Sequence, residues 1–307
     1  MGRYTRDEGR GSYLCNVRNL ALWCHPIDRS FTMKTSEIVG DREPTAALHQ
    51  VQKSWSPYSR ASAATRSRLR SIWAYLGFNH DVASKLRYEM DMVLLRIRCK
   101  LSPAYKNQVR DLAGRHDLLV HLGCGNALLS GWVNLDCYPP PQTAGVEIMT
   151  LDLRRGLPLA TGSVAALFSE HFLEHLPFET VRLVILPEIR RVLQAGGKLR
   201  IGVPNGEYFI DQYLAYRVGA HDSVYEQQRN DKTPMIMLNE IAHGHGHYFV
   251  YDFETMARLL TGAGFVSVRR CAPYETSVEH FIGKDRVDAW RNAMTLYIEA
   301  ETPSSLG

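Results

Sequence analysis

Between Leu118 and Val203 short apolar runs recur at intervals, several closing on glycine or aspartate, with helical or turn stretches in between. Leu118–Leu122 runs into Gly123-Cys124-Gly125, Trp132–Leu135 ends at Asp136, and Val146–Leu151 ends at Asp152. Val164–Phe168 and Lys198–Val203 are a fourth and a fifth run. That alternation specifies an α/β fold with a doubly wound, mostly parallel Rossmann-like sheet. Phe178–Gln194 reads as a helix that Pro187 kinks or splits and Gly196-Gly197 ends. Asp252 caps a helix over Phe253–Thr261 that stops near Gly264, and Val266–Arg270 and Thr295–Ala300 are the last two strands.

The segment ahead of this sheet differs in charge. Up to Arg115 there are 20 Lys and Arg against 10 Asp and Glu, a balance of +10; the remaining 16 and 22 give −6. We divide the chain accordingly into a basic, weakly patterned arm over 1–55, accessory helices over 56–115, and an α/β domain over 116–301. Met33 offers a second start within the arm. In the accessory region Asp81 is an N-cap, and Leu86, Met90, Leu94, Ile97 and Leu101 form a helical stripe expected to pack on the main domain. Pro103 opens a second helix. Residues 206–250 form an insertion of lid-like character.

No run of eighteen apolar residues is present, so no membrane span is expected. The basic N-terminus lacks the apolar core of a signal peptide. Cys15, Cys24, Cys99, Cys124, Cys137 and Cys271 form no C-x-x-C pair, which argues against a cysteine zinc site and a disulfide framework. Together these features point to a reduced, cytoplasmic protein.

The chemistry is expected where the first strands end. Gly123 and Gly125 allow a tight turn and close approach of backbone to a ligand, and Asn126 is expected to open a helix whose free N–H groups favour an anion. Asp136, 11 residues after Gly125, is placed to accept two hydrogen bonds from ribose hydroxyls. Asp152, a further 16 residues on, is placed to accept an adenine amino group. The acid after the second strand comes too early for a nicotinamide site, and Leu128 stands where its third glycine would be.

In this ordered set the chain resembles class I S-adenosylmethionine (SAM) dependent methyltransferases, in a branch known mainly from prediction. The run from His121 through Gly123, Gly125 and Asn126, then Gly131 to Asp136, carries the resemblance. So do Asp152-Leu153, Leu157-Pro158, Glu170-His171, Leu173-Glu174-His175, Arg191 to Gly197, Tyr251 to Thr255 and Leu296 to Ala300. The resemblance implies SAM as cofactor, with His121, Gly123, Gly125, Asn126, Asp136, Asp152, Leu153 and Glu170 around it. His121 stands where the superfamily usually has an acid, Ala127 replaces a third glycine, and Ala165 sits where an acid commonly begins the fourth strand.

Two histidines are candidates for a base at the reacting end, His171 after the fourth strand and His247 before the helix over Phe253–Thr261. His175 reads as a packing or capping residue. His243-Gly-His245-Gly-His247 suggests a metal tract, but alternating residues on a glycine-rich loop seldom pre-organise three ligands, so no metal is expected and the tract reads as a mobile loop. The function expected is methyl transfer to an oxygen or nitrogen of a small molecule or glycan. The alternatives are a SAM-binding scaffold without turnover and an RNA methyltransferase using the basic arm. The insertion sets Arg217, Arg229 and Lys232 against six acids, which disfavours a nucleic-acid acceptor. The sequence leaves the oligomeric state open. Residues 1–55 offer little to bury, so their deletion is expected to leave a folded, SAM-binding protein. A large fall in melting temperature after deletion contradicts this.

Overall fold

The computed structural model describes residues 80–138, 144–286 and 288–304. The basic arm, Met33, the first part of the accessory region and the side chain of Asp81 lie outside the described residues. Two helices come first, α1 (His80–Leu101) and α2 (Pro103–Ala113). Proline suits the first turn of α2, and the Ser102 side chain caps it by accepting from the Tyr105 N–H at 3.2 Å. The stripe expected to pack on the domain does not do so: Leu86, Met90, Leu94, Ile97 and Leu101 are exposed, and Met92 is the buried residue. The helix is held through other positions. Glu89 pairs with Arg154, Tyr138 Oη donates to Asp91, and Cys99 Sγ donates to the Thr150 carbonyl.

Seven strands form one sheet: β1 (Leu118–Leu122), β2 (Val133–Asp136), β3 (Glu147–Thr150), β4 (Val164–Glu170), β5 (Leu193–Pro204), β6 (Val266–Cys271) and β7 (Thr295–Glu301). Their order is β3-β2-β1-β4-β5-β7-β6. The first five are parallel, and β7 runs antiparallel to β5 and β6. The order reverses between β1 and β4, the position at which an open α/β sheet places a ligand crevice at its carboxyl edge. Because β7 is antiparallel, its first residue, Thr295, pairs with Pro204 and lies at that same edge.

Pro187 splits its helix as expected. An α turn (Phe178–Thr180) passes into a π turn (Val181–Ile185) before α3 (Leu186–Val192) resumes. Proline has no N–H to give and its ring crowds the preceding turn, which favours the wider coil just ahead of it. The Gly196-Gly197 pair does not end this helix. The chain enters β5 at Leu193, and the glycines accommodate the shift in β4–β5 register. The insertion folds as three helices, α4 (Gly206–Tyr216), α5 (Ser223–Arg229) and α6 (Pro234–His243). They carry their own apolar cluster of Phe209, Tyr225, Met237 and Ile241, joined by Met294 of α8 (Ala289–Met294). Asp252 caps α7 (Phe253–Gly262) by accepting from the Thr255 N–H at 2.8 Å.

The expected helix after Gly125 is missing. Only residues 123–132 separate β1 from β2, too few for a helical crossover, and 127–131 contain no helix. The fully buried amide of Asn134 holds the loop instead. Its Oδ1 accepts from the Leu129 N–H at 2.9 Å, and its Nδ2 donates to Leu129 O and Trp132 O at 2.9 Å and to Glu147 O at 3.1 Å. Replacing Asn134 by Ala orphans these buried groups and is expected to cost about 2–5 kcal/mol. A urea midpoint equal to that of the wild type refutes this account of the loop.

Candidate functional site at the carboxyl edge

The chain turns at once on leaving β1. Gly123 and Gly125 adopt φ of +71° and +49°, a region glycine enters without steric cost. A Cβ on Gly123 would also lie 2.3 Å from Cγ of Phe172, so two independent constraints require glycine there. The Gly123 N–H donates to Leu135 O at 2.8 Å. The Gly125 N–H donates to Asp136 Oδ2 at 2.9 Å, and the Tyr138 N–H donates to Asp136 Oδ1 at 2.7 Å. Asp136 is therefore both a candidate ligand and the clamp on the glycine turn, and the Cys137 thiol hydrogen-bonds it as well. Asn126 is exposed on this turn. With no helix behind it, an anion here meets loop N–H groups without the added field of a helix N-terminus.

The other expected cofactor residues are more committed. Asp152 is buried, and its Oδ1 accepts from the Arg154 N–H at 3.2 Å and Arg154 Nε at 2.9 Å. Its Oδ2 accepts from Arg154 Nη2 at 3.1 Å, with Arg96 Nε of α1 at 3.7 Å. One lone pair on Oδ2 is what Asp152 retains for a ligand. Leu153 packs into the main apolar core. Glu170 is buried too: Oε1 accepts from Tyr297 Oη at 2.6 Å and the Arg286 N–H at 3.2 Å, while Oε2 pairs with Arg286 Nε at 3.1 Å. His121 lies against the Phe168 ring, with Nδ1 3.3 Å from Asn134 Oδ1. Burial, with a smaller push from Arg286, lowers its imidazole to about 4, so it stands neutral where the resemblance leads one to expect an acid.

On the β4–β5 side of the edge a second group of side chains converges. His171 leaves β4 at a left-handed φ of +53°, unusual for a residue with a side chain. Its Nε2 lies 2.9 Å from Thr295 Oγ1, and its Nδ1 lies 3.2 Å from Glu174 Oε1. Glu174 is fully buried, and its Oε2 has no hydrogen-bond partner among the described residues. Burial raises its carboxyl, but the neighbouring His171, His175 and His247 outweigh that and leave it below the usual range. His175 Nε2 is 3.9 Å from Glu174 Oε1, and the His175 and His247 rings meet edge to face at 4.8 Å between centroids.

The His-Gly-His-Gly-His segment is fastened here. Tyr248 N–H donates to Glu174 O at 2.7 Å, and His247 Nδ1 sits 2.7 Å from Ile241 O. Burial lowers the His247 imidazole to about 4. Sequence reasoning named His171 and His247 separately and read His175 as packing. It missed Glu174 as the hub, although the i, i+3 spacing of His171 and Glu174 was a usable signal. Thr295 had no such signal.

Strand order and the antiparallel β7 together give a doubly wound, mostly parallel Rossmann-like sheet. No protein-family model matches the chain, and no curated protein matches it. Among solved structures, it is similar to a SAM-dependent methyltransferase from Archaeoglobus fulgidus, at 14% identity over 73% of this chain and 100% of that one, TM-score 0.37. It is similar to a putative methyltransferase of Haloferax volcanii crystallised with the Trm112 methyltransferase activator, at 18% identity over 66% of this chain and 89% of that one, TM-score 0.36. A SAM-dependent methyltransferase from Mesorhizobium loti aligns at 17% identity over 66% of this chain and 99% of that one, TM-score 0.35. These likenesses are distant, and the fold stands on the strand order itself. No helix among the described residues is long and apolar enough to cross a membrane.

His121 gives the site a pH dependence. The unfolded chain takes up its proton near pH 6.5, whereas the folded chain resists it until about 4, so stability falls as pH drops through that window. His121→Asn removes this contribution and is expected to flatten the loss between pH 6.5 and 4 by up to about 3.4 kcal/mol. Urea midpoints at several pH values test it, and parallel curves for both proteins refute it.

Proposed function

We propose that the chain is a SAM-dependent methyltransferase acting on an oxygen or nitrogen of a small molecule or glycan. The observation that carries this reading is Asp136, a buried carboxylate at the end of β2 that locks the glycine turn next to the strand pair where the order reverses. A ribose presents two adjacent hydroxyl donors to such a group. When bound, SAM supplies a methyl group on a sulfonium, open to direct displacement by a nucleophile. The chain's own tasks are then to align the acceptor, exclude water and take the acceptor's proton.

We assign the proton to His171. Glu174 beside Nδ1 favours the tautomer protonated there, which leaves Nε2 as the acceptor. The Thr295 hydroxyl contacts that Nε2 and marks where an acceptor hydroxyl would approach. His247, neutral and tied to Ile241 O, orients the group and is the weaker base of the two. In the insertion Arg229 pairs with Glu226 and Lys232 with Glu240, which leaves little positive charge for a phosphate backbone and supports a small-molecule or glycan acceptor. A binding scaffold without turnover is the second reading. Its specific support is the neutral His121 and the closure of Glu170 by Arg286 and Tyr297.

Calorimetry with SAM tests the cofactor half. Asp136→Asn, which keeps the shape and one acceptor oxygen, is expected to weaken SAM by about 30- to 150-fold. Equal affinity overturns the ribose assignment. Glycans, metabolites and RNA screened with methyl-labelled SAM test the other half. His171→Ala is expected to cut turnover on the best acceptor by about 10²–10⁴ while SAM affinity holds. Labelled RNA as the sole product overturns the acceptor class, and no labelled product at all favours the scaffold.

A further inference from the structure

We propose that Glu174, His175 and His247 form a binding site for a divalent cation of zinc type. The sequence argument against a metal concerned three histidines on one glycine-rich loop. The fold takes only His247 from that loop and sets it against two residues that follow β4. One ligand atom from each of the three lies within 4.8 Å of the other two. Tetrahedral zinc with ligands at about 2.0–2.2 Å needs them about 3.4 Å apart, so closure calls for side-chain rotations of about 1 Å.

Three further observations favour a cation there. Glu174 is fully buried, and its Oε2 has no hydrogen-bond partner among the described residues, an expensive state for an acid that a cation would relieve. His247 Nδ1–H donates to the Ile241 carbonyl at 2.7 Å, which keeps the proton on that nitrogen and leaves Nε2 as the ligand atom. This is the outer contact that orients most metal-bound histidines. His175 already meets both partners: Nε2 lies 3.9 Å from Glu174 Oε1, and its ring packs edge to face on that of His247 at 4.8 Å between centroids. The set is two imidazoles and one carboxylate, which suits zinc and leaves a fourth position open for an oxygen ligand, water or a hydroxyl. The bound ion would pin the loop after α6 to the segment after β4. The inference does not rest on methyl transfer, because its readout is metal binding in the absence of SAM.

The test uses the full chain after chelator treatment, titrated with zinc chloride by calorimetry and with cobalt(II) chloride by visible absorption. Expected are one tightly bound zinc per chain and the visible bands of low-coordinate cobalt(II). His247→Ala and His175→Ala are each expected to weaken zinc by about 100-fold or more while melting like the wild type in chelator. Glu174→Gln should weaken it without emptying the core. Should a variant fail to fold, the wild-type cobalt spectrum still decides, since the absence of those bands overturns the proposal. So does zinc binding that both histidine variants retain.

Discussion

Ten residues carry the chain from the end of β1 back to the start of β2, parallel and adjacent to the strand it left. That span is too short for a crossover helix, so the loop has no ladder of its own to satisfy its backbone. Two buried side chains from the next strand supply what is missing. Asn134 bonds the far half of the loop, and Asp136 bonds the glycine turn at its near end. The candidate site thus depends on β2 twice, once for the shape of the loop and once for the carboxylate that clamps the glycine turn.

The carboxyl edge carries two chemistries side by side. Beneath the ends of β1 and β2 lie Asp136 and the glycine turn. Beyond the ends of β4 and β5 lie Glu174 and the three histidines around it. Phe172 joins them, since its ring fills the space a Cβ on Gly123 would need while its neighbours His171 and Leu173 lead into the histidine cluster. A change in the segment after β4 therefore acts on both halves, and the glycine at 123 serves the packing of that segment as much as the turn.

The accessory elements serve this edge through polar contacts. Arg154 links Asp152 to Glu89 of α1, so a residue expected to face a cofactor also helps anchor a helix. The insertion is attached through its own apolar cluster and through the backbone carbonyl of Glu174, which receives the Tyr248 N–H. Farther along the sheet, Arg200 is fully buried between Asp285 and Glu299, tying the segment before α8 to β5 and β7. Such a pair is costly to break from one side, and it holds Arg286 close to Glu170.

The sequence by itself determined the strands, the glycine turn, the Asp252 cap and the break at Pro187. Each depends on a backbone preference or a contact within four residues, and such signals survive in a linear reading. The Asp252 cap, which accepts from the Thr255 N–H, is of this kind. Tertiary structure alone decided which polar groups the buried carboxylates meet. Asp152 is met by Arg96 from α1, Glu170 by Tyr297 and Arg286, and Glu174 by His247 from beyond the insertion. It also decided that the apolar stripe of α1 faces outward and that no helix follows Gly125. These outcomes depend on how far apart two strands end and on which distant side chain reaches a buried charge first. Neither distance is written in the spacing of residues along the chain.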